Sequence, residues 1–239
     1  MRKNKIIECL NEGKVAHGIN FIFPSTTLVE LSGRAGFDFV SFDSEHGPFT
    51  IDLIDDLCRV ADMAGLTPLA RVPDISDATI LRFLDRGIMG ITGPHITDGT
   101  RAQQLANACR YTPMGTRSFG SGRGAFFGGP PTGQEYMKNF NDNVVVIAQL
   151  EDVQVLDNID DILSVDGIDF YASGAQDIAQ SMGLPGQPDH PDVKQFEETV
   201  KDIVHKSGKK MADDAMHSAR AVNMFLEGSS QFLGSHKNH

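Results

Sequence analysis

Short apolar runs alternate with longer amphipathic segments along the whole chain. The apolar runs predict eight strands at residues 17–22, 38–43, 67–71, 89–93, 144–150, 168–172, 209–213 and 231–234. Helix-like segments lie between most of them, at residues 26–34, 50–64, 76–86, 98–110, 152–162, 193–206 and 216–227. Strands that are separated by helices pair in parallel through right-handed crossovers, so this order predicts an α/β fold.

The number of strands favours one architecture within this class. Eight strands in a chain of this length predict a single (β/α)₈ barrel domain over residues 1–239. A doubly wound open sheet is the alternative. Against it, no glycine-rich nucleotide-binding turn follows any predicted strand.

One connection is much longer than the others. Residues 111–143 are rich in glycine and proline and contain two arginines and several aromatic residues. Because so long a connection is more often functional than accidental, we interpret it as a loop over the active site, with a short helix near residues 133–140. A mobile surface excursion is the alternative.

Composition limits the functions that this fold could serve. The chain has 239 residues, of which 40% are hydrophobic and 22% charged, and its formal net charge is −11. Such an excess of negative charge disfavours nucleic-acid binding, which depends on neutralising phosphates. Cys9, Cys58 and Cys109 form no CxxC pair, so the sequence indicates neither a zinc ribbon nor a disulfide framework. No apolar run could span a membrane, and we expect a cytoplasmic protein that acts on a small molecule.

Polar and ionisable residues follow the predicted strands, at the point where each strand ends. They are Asp43, Glu45 and His46 after the second strand, Arg71 after the third, Pro94 and His95 after the fourth, Gln149 and Glu151 after the fifth, and Ser173, Gly174 and Asp177 after the sixth. The carboxyl ends of parallel barrel strands meet at one mouth, so the sequence predicts that these groups share one small volume.

Two acids of this group suggest a metal site. Glu151 and Asp177 lie one strand–helix–strand step apart, and carboxylate oxygens suit a divalent cation such as Mg²⁺ or Mn²⁺. Taken alone, either acid could instead cap the helix that follows it. A Schiff-base mechanism would need a lysine at the mouth. Lys209 and Lys210 begin the seventh predicted strand and lie at the opposite face, which favours metal chemistry.

Arg71 and the pair formed by Asp43 and His46 suggest the remaining chemistry. An arginine beside carboxylates and a cation can stabilise a developing oxyanion, although most arginines are surface ion-pair partners. A carboxylate that orients an imidazole makes a general base near neutral pH, which is the interpretation we give to Asp43 and His46. The histidines that we interpret as structural are His95, His190, His205 and His217.

At these positions the chain resembles the class II, metal-dependent pyruvate aldolases, which include 4-hydroxy-2-oxoheptanedioate aldolase and 2-dehydro-3-deoxyglucarate aldolase. The resemblance covers nearly the whole chain and rests on the segments FDFVSFDSEHGPFT, PLARVP, RYTPMGTRSFG, AQLED and GAQDIAQSMGLPGQPDHPDV. It implies a barrel of the phosphoenolpyruvate/pyruvate-binding type. The implied reaction is the reversible cleavage of a 4-hydroxy-2-oxo acid, such as 4-hydroxy-2-oxoheptanedioate, into pyruvate and an aldehyde through a metal-stabilised enolate.

The resemblance also implies roles for individual residues. Glu151 and Asp177 would hold Mg²⁺ or Mn²⁺, with Co²⁺ as a further candidate. Arg71 would neutralise the enolate oxygen, and His46, oriented by Asp43, would move the proton of the aldol hydroxyl. The implied substrate contacts besides Arg71 are Gln149, Gly174, Ala175 and Gln176.

Asp85 matches an acid of the family that reaches a neighbouring subunit's site. This implies a homo-oligomer, hexameric or dimer-based. Three departures from the family pattern are visible. Ala175 and Gln176 replace the proline and alanine of its Gly-Pro-Ala-Asp turn, and the long loop reads RSFGSGRGAFFGGPP. Residues 235–239 follow the eighth predicted strand without the last helix that the family pattern has. Oxaloacetate decarboxylation or a citrate-lyase-like step on the same enolate, and a non-catalytic binding barrel, are the alternative functions.

Overall fold

The structure is a computed structural model that describes residues 3–129 and 133–236. Its strands are β1 (Ala16–Phe21), β2 (Phe39–Asp43), β3 (Thr67–Arg71), β4 (Gly90–Gly93), β5 (Val145–Leu150), β6 (Phe170–Ser173) and β7 (Met216–Arg220). Its helices are α1 (Lys5–Asn11), α2 (Thr26–Arg34), α3 (Ile51–Met63), α4 (Asp77–Asp85), α5 (Gly99–Cys109), α6 (Gly133–Asn141), α7 (Val155–Ser164), α8 (Ala175–Ser181), α9 (Pro191–Lys206) and α10 (Ala221–His236). Among the described residues, no helix combines the length and apolar character that a membrane span requires.

The strands form one curled parallel sheet in the order β6-β5-β4-β3-β2-β1-β7. The predicted α/β class and the parallel pairing are therefore confirmed. The prediction of a closed eight-stranded barrel is not confirmed, because the described residues form a sheet of seven strands with β6 and β7 as its two edges. In this part of the chain, only an isolated bridge between Tyr171 and Met211 extends the sheet beyond β6.

The C-terminal elements differ from those predicted. Residues 209–213 form no strand because the Asp214 carboxylate accepts a hydrogen bond from the Met211 backbone amide at 2.8 Å and holds the chain in a 3₁₀ turn, Ala212–Asp214. The predicted helix over 216–227 begins as β7, which pairs with β1. Residues 231–234, predicted as the eighth strand, lie in α10, since so short an apolar run cannot be assigned to helix or strand by its period. A helix therefore does follow the last strand.

Polar caps place the helices that follow the first four strands. Ser25, Thr50, Ser76 and Asp98 each precede a helix, and each side chain accepts a hydrogen bond from a backbone amide of its first turn. Such caps satisfy amides that the helix itself leaves without partners. They fix the turn between each strand and its helix at the carboxyl edge of the sheet, where the strand-end side chains lie.

The interior of the curled sheet holds an apolar cluster at the amino ends of the strands. Phe39, Leu69 and Ile147 pack there with Ile6 of α1. The Asn4 side chain fixes this end by donating to the Met89 carbonyl at 3.0 Å. The carboxyl end of the interior is left open for polar side chains.

The described part of segment 111–143 packs at the amino ends of the strands. Arg117 pairs with Asp85 and Arg123 with Asp62, and both acids lie in the last turn of a helix that follows a strand. Such helices run antiparallel to the strands, so their last turns lie opposite the carboxyl edge. The short helix expected near residues 133–140 is present as α6, whereas residues 130–132 lie outside the described residues.

Candidate active site

The carboxyl edge of the sheet borders a cavity of about 950 Å³. The predicted residues that line it are Asp43, His46, Arg71, Gln149, Ser173, Gly174, Ala175, Gln176 and Asp177. The register of the sheet aligns Asp43 of β2 directly with Arg71 of β3. Parallel pairing therefore brings strand ends that are far apart in the sequence to one opening, as predicted.

Arg71 and Asp43 form a two-point ion pair. Nε of Arg71 donates to Oδ1 of Asp43 at 3.0 Å, and Nη2 donates to Oδ2 at 2.5 Å. The same Nε lies 3.2 Å from Oε2 of Glu45. Burial alone would raise the pKa of Asp43, but the hydrogen bonds and charge of Arg71 outweigh it, so this pKa lies below its usual value. The guanidinium is therefore fixed between the side chains of Asp43 and Glu45.

Glu151 is a buried carboxylate that other polar groups surround. It is 2% exposed, and it accepts hydrogen bonds from the Gln149 side chain at 2.5 Å and from the His95 backbone amide at 2.9 Å. Burial raises the pKa of Glu151. Contact with His95 opposes this rise, and the charges of Asp177 and Glu45 add to it.

Gly174 provides the space that this carboxylate occupies. A Cβ atom at position 174 would lie 2.6 Å from Oε2 of Glu151 and 2.9 Å from Nε2 of Gln149, closer than side chains approach one another. Glu151 therefore packs directly on the backbone of the turn between β6 and α8. Any residue larger than glycine at position 174 would displace it.

These acids fit a divalent cation. The negative charges of Asp177 and Glu45 disfavour ionisation of Glu151, and a cation would relieve that repulsion. Within residues 3–129 and 133–236, no group of three or more His, Cys, Asp or Glu side chains is arranged to hold an ion. Glu151 and Asp177 would therefore bind an ion together with oxygens of substrate or water, which leaves coordination positions open for chemistry.

His95 contacts the buried acids, a contact that the structural interpretation of this residue misses. Its Nδ1 lies 3.1 Å from Oε1 of Glu151, and its Nε2 lies 3.2 Å from Oε1 of Glu45. Its backbone is left-handed (φ 53°), which costs free energy for a residue other than glycine and is typical of functional sites. Its place directly after β4 was the available signal. That its ring bridges acids from two other strand ends could not be inferred from local sequence.

Asp43 holds the backbone of His46 rather than its ring. The His46 amide donates to Oδ1 of Asp43 at 3.3 Å. The nearest acid to the ring is Glu45, whose Oε2 lies 3.8 Å from Nε2, and the side chain is 61% exposed. The predicted imidazole orientation by Asp43 is therefore absent, although the ring lines the cavity.

Asp85 lies apart from this site within one chain. It ends α4, at the amino ends of the strands, and its Oδ1 accepts a hydrogen bond from Arg117 at 2.8 Å. The Arg117 guanidinium lies over the Tyr111 ring at 4.7 Å and over the Phe140 ring at 4.2 Å. The Asp85 carboxylate is thus fixed by the buried guanidinium of Arg117, which in turn packs against these two aromatic rings.

Sequence and structure comparisons identify the proteins that this chain resembles. The 2-keto-3-deoxy-L-rhamnonate aldolase of Shigella sonnei (strain Ss046) is 34% identical over 209 residues, covering 86% of this chain and 77% of that protein. The crystal structure of an HpcH/HpaI aldolase from Desulfitobacterium hafniense DCB-2 superposes with a TM-score of 0.87 at 25% identity, covering 98% of this chain and 96% of that one. That of citrate synthase SbnG superposes with a TM-score of 0.85 at 27% identity, covering 100% and 99%.

The match to a family extends over most of the chain. Residues 23–235 match the HpcH/HpaI aldolase/citrate lyase family, a range that includes every strand end described above. With the identity to named aldolases, this establishes that the chain belongs to the HpcH/HpaI aldolase/citrate lyase family of carbon–carbon lyases.

Proposed function

We propose that the protein is a divalent-metal-dependent aldolase that reversibly cleaves a 4-hydroxy-2-oxo acid into pyruvate and an aldehyde. The observation that supports this most directly is the arrangement of the strand ends. An immobilised guanidinium, Arg71, and the carboxylate of Asp177 border one cavity, and the buried carboxylate of Glu151 packs against Gln149 and Gly174 of its lining. The resemblance to named aldolases supports the same reaction.

The charge that develops during cleavage explains why these groups are needed. Breaking the C3–C4 bond leaves negative charge on the C2 oxygen of the pyruvate half. A divalent cation bound at Glu151 and Asp177, with Mg²⁺, Mn²⁺ and Co²⁺ as candidates, would supply positive charge to that oxygen. Arg71, which Asp43 and Glu45 hold in place, adds a fixed donor aimed at the same charge.

The aldol hydroxyl must lose its proton as the bond breaks. We assign to His46 the role of the general base that accepts this proton. Both ring nitrogens of His95 contact carboxylate oxygens, at 3.1 and 3.2 Å, and His95 does not line the cavity. The His46 ring lines the cavity without a short contact to an acid. His95 then positions Glu45 and Glu151 relative to each other.

The substrate contacts that we propose follow the cavity lining. Gln149 and the backbone of Gly174, Ala175 and Gln176 border the space beside Glu151 and would contact the pyruvate carboxylate. Because the reacting unit is common to 4-hydroxy-2-oxoheptanedioate and 2-keto-3-deoxy-L-rhamnonate, this part of the site accepts either compound.

A homo-oligomer would give Asp85 a role in catalysis. Asp85 and the described part of segment 111–143 lie away from the cavity of their own chain. In a hexameric or dimer-based assembly of single-domain subunits, they would cover a neighbour's site. We propose this assembly for a cytoplasmic enzyme, and gel filtration with light scattering would test it.

A citrate-synthase neighbour favours a second candidate function. Because citrate synthase SbnG superposes over the whole chain, oxaloacetate decarboxylation or a citrate-lyase-like step on the same enolate is the alternative reaction.

Pyruvate release, coupled to lactate dehydrogenase, separates these functions. The purified protein is treated with EDTA, supplied with Mn²⁺ or Mg²⁺, and given 4-hydroxy-2-oxoheptanedioate, 2-keto-3-deoxy-L-rhamnonate or oxaloacetate. We expect metal-dependent turnover of a hydroxy-oxo acid. Turnover of oxaloacetate alone would favour the second candidate, and no turnover of any oxo acid would favour a binding barrel. Full activity after metal removal would refute the metal-dependent proposal.

A further inference from the structure

A second cavity, of about 190 Å³, lies at the amino ends of the strands. Met89 and Val144 of its lining directly precede β4 and β5, and Ile88 follows α4. Among the described residues, this cavity shares no lining residue with the cavity at the carboxyl edge. Because the chemistry of barrel-type enzymes lies at the carboxyl ends of their strands, the second cavity is not part of the proposed reaction.

The long segment after α5 forms one wall of this cavity. A Cβ atom at Gly124 would collide with the Leu84 carbonyl oxygen, so only glycine lets the segment lie directly on the last turn of α4. The Tyr136 hydroxyl donates to the Gly124 carbonyl at 2.9 Å, and Arg123 pairs with Asp62 at the end of α3. Contacts with α3, α4 and α6 therefore fix this wall in place.

Most of the cavity lining is apolar. The side chains of Leu84, Ile88, Phe140 and Val144 line it and are buried, and the more exposed ring of Phe126 adds to them from the long segment. An apolar cavity of about 150 Å³ is large enough to bind benzene. A cavity of about 190 Å³ can therefore hold a six-membered ring that carries a small substituent.

One polar atom of the lining lacks a partner. Nε of Arg123 is buried and donates no hydrogen bond within the described residues, whereas Nη2 of the same side chain is bound to Asp62. The Nε atom lies beside Gly87, another lining residue, where a Cβ atom would be 3.6 Å from it. Buried donors rarely lack an acceptor, because the hydration that they lose must be replaced. An oxygen atom of a bound ligand would supply the missing acceptor.

We propose that this cavity binds an uncharged ring compound with one hydroxyl or carbonyl oxygen. The oxygen accepts a hydrogen bond from Nε of Arg123, and the ring packs among the apolar side chains. Asp62 already balances the charge of Arg123, and the chain has a net charge of −11. A second carboxylate at this guanidinium would therefore be repelled, which favours an uncharged ligand. The site is separate from the proposed aldolase site and does not depend on its chemistry.

Titration with phenol, toluene and benzoate, followed by methyl NMR of the full chain, tests the site. Phenol and toluene differ only in a hydroxyl or methyl substituent, and benzoate adds a negative charge. We expect phenol and toluene to shift the methyl signals of Leu84, Ile88 and Val144. The signal of Ile22, which lines the cavity at the carboxyl edge, should stay in place. Phenol should bind about ten-fold more tightly than toluene, because its oxygen accepts a hydrogen bond from a charged donor, and benzoate should bind more weakly than phenol.

Arg123→Lys separates the hydrogen bond from the ion pair. Lysine keeps a positive charge opposite Asp62 but has no Nε–H group at that position, so phenol and toluene should bind this variant with similar dissociation constants. The matched control, Arg82→Lys, changes an exposed arginine of α4 outside the cavity and should preserve the preference for phenol.

Several results would overturn the inference. Equal affinities for phenol and toluene in the wild-type protein, or a preference for phenol that persists in Arg123→Lys, would overturn the role of Arg123. Benzoate binding as tightly as phenol would overturn the assignment of an uncharged ligand. Absence of shifts at Leu84, Ile88 and Val144 with phenol and toluene would overturn the site itself.

Discussion

Replacing Arg71 with methionine should reduce both stability and turnover, because this guanidinium neutralises two acids that water hardly reaches. The Asp43 side chain is 7% exposed and that of Glu45 is 12% exposed. Removing one partner of a fully buried ion pair costs about 3–5 kcal/mol. The Arg71 side chain is 21% exposed, so we expect a smaller loss, about 2–3 kcal/mol in the free energy of unfolding.

Arg71→Met should raise the activation barrier by more than it lowers the free energy of unfolding. Loss of one fixed donor to a developing oxyanion raises the barrier by about 2.7–4 kcal/mol. Under conditions where the variant is fully folded, we therefore expect kcat for pyruvate release to fall roughly 100- to 1,000-fold. Arg71→Lys retains the charge but cannot reproduce two parallel contacts with Asp43, so it should restore stability more than turnover.

A double-mutant cycle with Asp43→Asn isolates the pair. Urea unfolding of the wild-type protein, both single variants and the double variant gives the interaction energy between positions 43 and 71, which we expect to be about 1–3 kcal/mol. Single-variant losses that add to within about 0.5 kcal/mol, with kcat of Arg71→Met within ten-fold of wild type, would refute the assignment of Arg71 to both roles.

Four further predictions follow from individual groups. Glu151→Gln should abolish activation by Mn²⁺ without unfolding the protein, because the amide preserves the shape of the side chain but not its charge; unchanged Mn²⁺ affinity in a titration would contradict this. The Asp43 pKa is lowered in the folded state, so its contribution to stability is present above its unfolded pKa of about 3.9 and is lost as the pH falls through the folded value; acid titration of Asp43→Asn should lack this part of the loss. Burial raises the pKa of Cys109 to about 12, so a thiol reagent at pH 8 should leave it unmodified in the native protein and react first with Cys9, which is partly exposed. Phe225 is 73% exposed on α10, so Phe225→Lys should change the free energy of unfolding by no more than about 0.5 kcal/mol while reducing binding of an apolar dye.

The strand-end chemistry was predictable because it depends on topology. Alternating strands and helices require parallel pairing, and parallel pairing places Asp43 beside Arg71 and Gln149 near Gly174. The helix starts were equally readable, since residues such as Ser25 precede helices for a local reason. No long-range information was needed for either.

The side-chain partners within the site were not predictable in the same way. Asp43 and His46 are three residues apart, which suggested a carboxylate–imidazole pair, yet Asp43 is turned toward Arg71 on the neighbouring strand. The stronger charge-assisted, two-point contact takes precedence over the local one. For His95 the sequence suggested no partner at all, yet its ring contacts Glu45 and Glu151 and so joins three strand ends.

The last strand was misassigned for a physical reason that also bears on function. β7 is an edge strand whose residues are largely exposed, so it lacks the continuous apolar run of a buried parallel strand such as β5. The groups proposed for the reaction at C2 lie on or just after strands of the opposite kind. Arg71 ends β3 and Glu151 follows β5, and both strands are largely buried, so their continuous apolar runs predict them from the sequence. The proposed chemistry could therefore be located from sequence even though the edge of the sheet could not.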